Sequence, residues 1–106
     1  MSRSVKIGAH KFPILAVAQV ADSDDYWAMY YPHELGQKIE LSDTLTGSKW
    51  AETLLHEIGH GIVNECGYDF PTDAEEEKFI DGFSRVLTQV MGDNKTLIRA
   101  ILKALK

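Results

Sequence analysis

Across residues 50–62, WAETLLHEIGHGI, apolar side chains return every four positions at Trp50, Leu54, Ile58 and Ile62. That period fits an amphipathic helix with one buried stripe, and whatever else the chain forms must cover it. Ser48 stands where an N-cap would, and Gly67 follows as a C-cap glycine, so the spacing predicts a helix over about 49–66.

Upstream the period changes. Residues 4–8 (SVKIG) and 12–18 (FPILAVA) flank a glycine-containing turn, as the arms of a hairpin do. Residues 26–31 (YWAMYY) are rich in β-favouring aromatics. Pro32 to Gly36 make a turn, and 37–41 (QKIEL) alternates polar and apolar like a half-buried strand. Residues 13–21 also admit a short helix.

Downstream, Thr72 to Glu75 reads as a capping box, with Asp73, Glu75 and Glu76 placing negative charge at the positive end of a helix dipole. The helix that follows, about 73–91, would turn Phe79, Ile80, Phe83, Val86, Leu87, Val90 and Met91 inward. Asn94 can cap a third, with Ile98, Ile101, Leu102 and Leu105 as its inner face. The expected fold class is α+β: a small antiparallel sheet of three to four strands followed by three helices.

At 106 residues the chain fits one domain, without repeats or low-complexity segments. Its single cysteine, Cys66, rules out an intramolecular disulfide, and a lone thiol of this kind is expected to be buried and to fill space. The first residues lack an apolar run of signal-peptide length, and no stretch approaches a membrane span, so a cytoplasmic protein without a membrane partner is expected. The net charge of −5 gives no footprint for a phosphate backbone, so nucleic acid is not an expected partner. Lys95, Arg99, Lys103 and Lys106 gather near the C-terminus and read as a solvated helix face, or less simply as a docking surface.

The predicted central helix carries HEIGH. Residues four apart lie about 40° apart around a helix axis, so His56 and His60 share a face one turn apart. Both imidazoles can then reach one zinc ion at ~2.0–2.1 Å. Glu57, offset by about 100° from His56, is placed beside the ion without being a ligand. In that position a carboxylate takes the proton of a water whose pKa zinc lowers towards ~7. A shuffled chain with 4 His and 8 Glu would show HExxH by chance in roughly one case in a hundred, so the motif alone is not proof. Gly59 and Gly61 add to it: each costs a helix interior about 1 kcal/mol relative to alanine, which close backbone approach at a site would explain.

A catalytic zinc site usually has three protein ligands and one open position. Cys66 lies about 120° off the face of His60 and nearly two turns away, a poor ligand. Glu75 is engaged in the capping box, which leaves Glu76 and Glu77. Glu76 points to the centre of the apolar stripe of the second helix and Glu77 to its edge. Spacing alone leaves the two level.

TLLHEIGHGI, a short loop, then ExxxDxFSxxL from Glu77 to Leu87 resembles the gluzincin branch of HExxH metallopeptidases. More narrowly, the chain is similar to small phage- and prophage-encoded zincin-like proteins related to the ImmA/IrrE peptidases, over about residues 26–98. The resemblance implies that His56 and His60 are zinc ligands, Glu57 the general base and Glu77 the third ligand. It also implies that Asp81 supports a ligand histidine from behind. The pattern departs from the family at Ile80 and Ser84, where small residues are usual. The oxyanion stabiliser has Tyr68, His33 and the cluster Tyr26–Tyr31 as candidates.

The expected function is therefore a zinc-dependent metallopeptidase hydrolysing a protein or peptide substrate, in the family a regulatory protein. The resemblance implies that the segment Gln37–Leu41 borders the cleft, where a substrate could add as another strand; a domain this small is expected to leave few residues for side-chain pockets. The alternative is a non-catalytic zinc-binding module for protein interaction on the same scaffold.

Overall fold

A computed structural model of the chain describes residues 3–20 and 26–105. The chain runs through β1 (Arg3–Ile7), β2 (His10–Val17), β3 (Ala28–Tyr31), a single 3-10 turn at His33–Leu35 and β4 (Lys38–Ser42). Three helices follow: α1 (Gly47–Cys66), α2 (Asp73–Asp93) and α3 (Lys95–Ala104). This is the expected α+β class, four strands and then three helices. Residues 10–17 form a strand and no short helix; residue 21 lies outside the described residues.

The sheet order is β1-β2-β4-β3. β1–β2 and β3–β4 are antiparallel hairpins, the first closed by Gly8 at φ 61°, a conformation its two-residue loop requires and a side chain resists. β2 and β4, however, pair in parallel, with Ile14 opposite Ile39 and Ala16 opposite Leu41. The sheet is thus mixed and not wholly antiparallel as expected. Period-two alternation fixes which face a residue takes but says nothing about which strand lies alongside. β4 takes the centre because Ile39 and Leu41 are fully buried there, at 0% and 2% exposure. Its neighbours β2 and β3 flank it on both sides, so Gln37–Leu41 has no edge left for a substrate; among the described residues β3 is an outer strand of the sheet and packs beside α1.

One sheet face carries the core. Ile7, Phe12, Ile39, Leu41 and Leu45 are buried against Trp50, Leu54 and Ile58 of α1. Ile62, the fourth member of that stripe, stands exposed, and Gly61 takes the buried place on the sheet at that level. The N-cap of α1 is Thr46 and not Ser48, which lies in the first turn, while Gly67 ends the helix at φ 75° as expected. Thr72 caps α2, its Oγ1 accepting from the Glu75 amide at 3.1 Å.

α2 packs on α1 through a narrower face than expected. Ile80 and Ser84 are buried and Leu87 and Met91 half-buried, whereas Phe79, Phe83, Val86 and Val90 face outward. Likewise only Ile98 of the expected inner face of α3 is half-buried; Ile101, Leu102 and Leu105 are exposed. Cys66 is exposed too, against the expectation of a buried thiol, because it falls at the last residue of α1, past the sheet. Among the described residues no helix is long and apolar enough to cross a membrane.

Candidate metal centre

α1 presents His56 and His60 one turn apart, ring centroids 5.1 Å from each other, towards the first turns of α2. Glu77 meets them both. Its Oε1 lies 2.6 Å from His56 Nε2 and its Oε2 2.9 Å from His60 Nε2. The Glu77 side chain is 57% exposed and the two histidines are largely covered, so the triad sits at a rim and not within the core. Glu76 takes the other side of His60, Oε2 to Nδ1 at 2.7 Å. Asp81 lies behind His56, Oδ1 3.8 Å from Nδ1, beyond hydrogen-bond range but within that of an ion pair. The tie between Glu76 and Glu77 left by spacing is thereby resolved into two positions: Glu77 on the converging Nε2 atoms, Glu76 on the outer nitrogen of one ring.

The donor set suits a divalent cation. One donor atom from each of His56, His60 and Glu77 can be chosen so that all three lie within 4.8 Å of one another. Small side-chain adjustments gather such a group around one ion with bonds of ~2.0–2.2 Å. Both nitrogens of His60 face carboxylate oxygens. An imidazole satisfies two acceptors only as the imidazolium, or with one nitrogen on a metal and the other donating its proton. Four carboxylates, Glu57, Glu76, Glu77 and Asp81, lie within 4.0 Å of these two rings, and among the described residues no lysine or arginine pairs with any of them. A cation would balance that charge.

Glu57 is the most enclosed of the four, 8% exposed. Burial pushes its carboxyl up from the ordinary range, opposed by the two histidines and by a backbone hydrogen bond from Tyr30; the Glu77 carboxylate adds to the rise. A carboxylate poised upward and held by strand β3 is suited to exchanging a proton. Its Oε2 lies 4.0 Å from His56 Nε2, beside the triad and outside it.

The two helix glycines set the spacing of this assembly. A Cβ on Gly59 would lie 3.0 Å from Ile80 Cγ2, so its absence lets α2 approach α1 at the level of Glu76 and Glu77. A Cβ on Gly61 would meet Ile7 Cδ1 at 2.7 Å and Tyr30 Cε1 at 3.2 Å, so this glycine seats α1 on the sheet. Both glycines are thus accounted for by helix–helix and helix–sheet packing, and not by the backbone approach at a metal site expected from the sequence. Ile80 supplies the bulk that Gly59 accommodates.

Two pockets open on either side of Glu57, and Tyr26 and Ala28 border both. The smaller, about 220 Å³, is walled by Trp27, Thr53, His56 and Ser84. The larger, about 730 Å³, runs past Met29, Tyr30, His60 and Tyr68. A small domain was expected to leave little room for pockets; these arise because β3 is the edge strand and stands off from α2. Tyr68 stays a candidate at the rim of the larger pocket. His33 does not: it stacks on His10 at 4.6 Å and its Nδ1 contacts Gln37 Oε1 at 2.6 Å. Tyr30, within the aromatic cluster singled out from sequence, combines a pocket-facing ring with a phenol whose pKa burial raises and which accepts a hydrogen bond from Asn64 at 3.3 Å. Compared with models of protein families, with curated proteins and with solved structures, the chain matches none.

Proposed function

We propose that the chain is a zinc metallopeptidase that hydrolyses a peptide bond of an extended protein or peptide segment, as its resemblance to the phage-type zincins implies. The observation that carries the reading is the convergence of both HExxH histidines on the Glu77 carboxylate, with buried Glu57 beside them. His56, His60 and Glu77 would hold the metal. A zinc ion supplies Lewis acidity, polarising a carbonyl and acidifying water.

The remaining chemistry belongs to the protein's own groups. Glu57 accepts a proton from the attacking water and returns it to the leaving amine, which its raised pKa favours. Glu76, on Nδ1 of His60, holds that ring with Nε2 turned to the Glu77 carboxylate, and Asp81 stands more loosely behind His56; the two would support the histidines that would hold the ion. The outer edge of β3, whose Tyr30 N–H already bonds Glu57, can align a substrate segment alongside it, with one pocket on each side of the scissile bond. The substrate would be a regulatory protein, by the same resemblance, and the setting the cytoplasm.

The test is Glu57→Gln, which keeps size and polarity and removes the proton acceptor. Incubated with a library of peptides from a digested proteome, the zinc-loaded wild type should generate new termini. The variant should generate them at a rate lower by ~10²–10⁴-fold, with its zinc content intact. Equal termini from both, each holding one zinc, would leave the non-catalytic zinc-binding module as the reading.

A further inference from the structure

The larger of the two pockets, about 730 Å³, differs from the smaller in charge as well as in size. Tyr26, Tyr30 and Tyr68 wall it together with Met29, Leu35 and Val63. Tyr30 lies against Gly61, and Phe70 backs Tyr68 with ring centroids 4.7 Å apart, so both rings have set positions. Among the described residues five carboxylates also line it, Glu57, Asp69, Asp73, Glu76 and Glu77, and no lysine or arginine does. Three of the five are already engaged: Glu57 accepts from the Tyr30 backbone amide, and Glu76 and Glu77 face the histidines. Asp69 and Asp73 are exposed, and among the described residues no cationic side chain pairs with either. The smaller pocket, by contrast, holds Lys49 beside Glu52 and Asp81.

Tyrosine walls with two unpaired carboxylates beside them suit one kind of side chain. Aromatic rings attract a cation placed over their faces. Lysine and arginine also carry long apolar stems that lie along such walls while the charged end stays in reach of water. An acidic side chain would meet like charge, and a neutral one would gain nothing from Asp69 and Asp73. A second metal ion does not fit these carboxylates, since among the described residues only His56, His60 and Glu77 gather as an ion-binding group.

We propose that the larger pocket receives a long cationic side chain, arginine or lysine, of the peptide segment bound in the cleft. The substrate class is then segments with a basic residue close to the scissile bond. The place of that residue beside a cut rests on the peptidase reading; its seat in the pocket does not.

Binding is read without any cut. The zinc-loaded protein is titrated with Nα-acetyl-arginine N-methylamide and with its citrulline and norleucine counterparts, following the amide signals of Tyr30 and Tyr68 by NMR. Each probe is blocked at both ends, so only the side chain differs. The arginine probe should shift those signals and bind about tenfold more tightly than either neutral probe, the worth of one cation–π contact together with an exposed ion pair. Asp69→Asn with Asp73→Asn should remove most of that preference and leave citrulline binding as it was, which also shows the pocket intact. Neutral probes that bind as well as arginine overturn the proposal, as does a preference untouched by the double substitution. The cut is read separately, from the termini that the wild type generates in peptides of a proteome digested by a glutamate-specific protease. Arginine or lysine should stand at one fixed position from the cut, and termini without that residue also overturn the proposal. Arginine binding in the pocket with no termini at all would sink the peptidase reading and uphold the pocket, as the seat of a basic segment on a non-catalytic module.

Discussion

Gly59→Ala probes the spacing on which the metal centre depends. The added methyl lands 3.0 Å from Ile80 Cγ2, where carbon atoms prefer ≈ 3.5–4.0 Å. α1 and α2 must part by a few tenths of an ångström, or Ile80 must leave its rotamer. In an open helix the exchange would stabilise by about 1 kcal/mol through helix propensity. Overpacking opposes this by about 1–3 kcal/mol, so the net expectation is a loss of between ~0 and 2 kcal/mol. In an Ile80→Ala background the clashing atom is gone, and Gly59→Ala should stabilise by the full ~1 kcal/mol. Urea unfolding of the four zinc-free proteins reads the resulting coupling of ~1–3 kcal/mol directly. Because Gly59 adjoins His60, and Ile80 lies one turn from Glu77 and Glu76, parting the helices should also weaken zinc binding by roughly tenfold, as supporting positions do. A Gly59→Ala protein that is stabilised by ~1 kcal/mol and binds zinc as the wild type does would refute the reasoning.

Glu77→Gln should abolish tight zinc binding, whereas Glu76→Gln, which keeps a hydrogen-bond partner for His60, should cost at most ~10–100-fold; competition titration against a chromophoric chelator ranks them. Zinc at a thousandfold excess over Kd should raise stability by about 4 kcal/mol, since its ligands tie α1 to α2, and a strong chelator should remove that gain. A melting temperature indifferent to confirmed zinc removal would argue against a site that bridges the two helices.

The elements that follow from local chemistry were legible in the sequence. The four-residue period of Trp50, Leu54 and Ile58 announced α1, and Thr72 and Gly67 marked helix ends that the structure keeps. His56, Glu57 and His60 were legible as a cluster because one helix fixes their relation. What depends on neighbours distant in the chain was not. The strand order that follows from the parallel β2–β4 pairing puts β3, and not Gln37–Leu41, at the outside of the sheet, and with it the pockets. A helical wheel could rank Glu76 and Glu77 only against their own apolar stripe, whose centre the structure shifts to Ile80 and Ser84. Phe79 and Phe83 pulled the expected centre away because hydrophobicity records what a face could cover, not what covers it. The role of Glu76 on His60 Nδ1 was missed for the same reason, although three consecutive glutamates opposite two histidines were its signal.

A crystal structure of the zinc-loaded protein tests the central claim most directly. It should show one zinc bound by Nε2 of His56, Nε2 of His60 and a Glu77 oxygen at ~2.0–2.2 Å, with Glu57 uncoordinated and no fourth side chain on the ion. Zinc held by Glu76 or by Nδ1 of His60, or enclosed by four protein ligands, would contradict it.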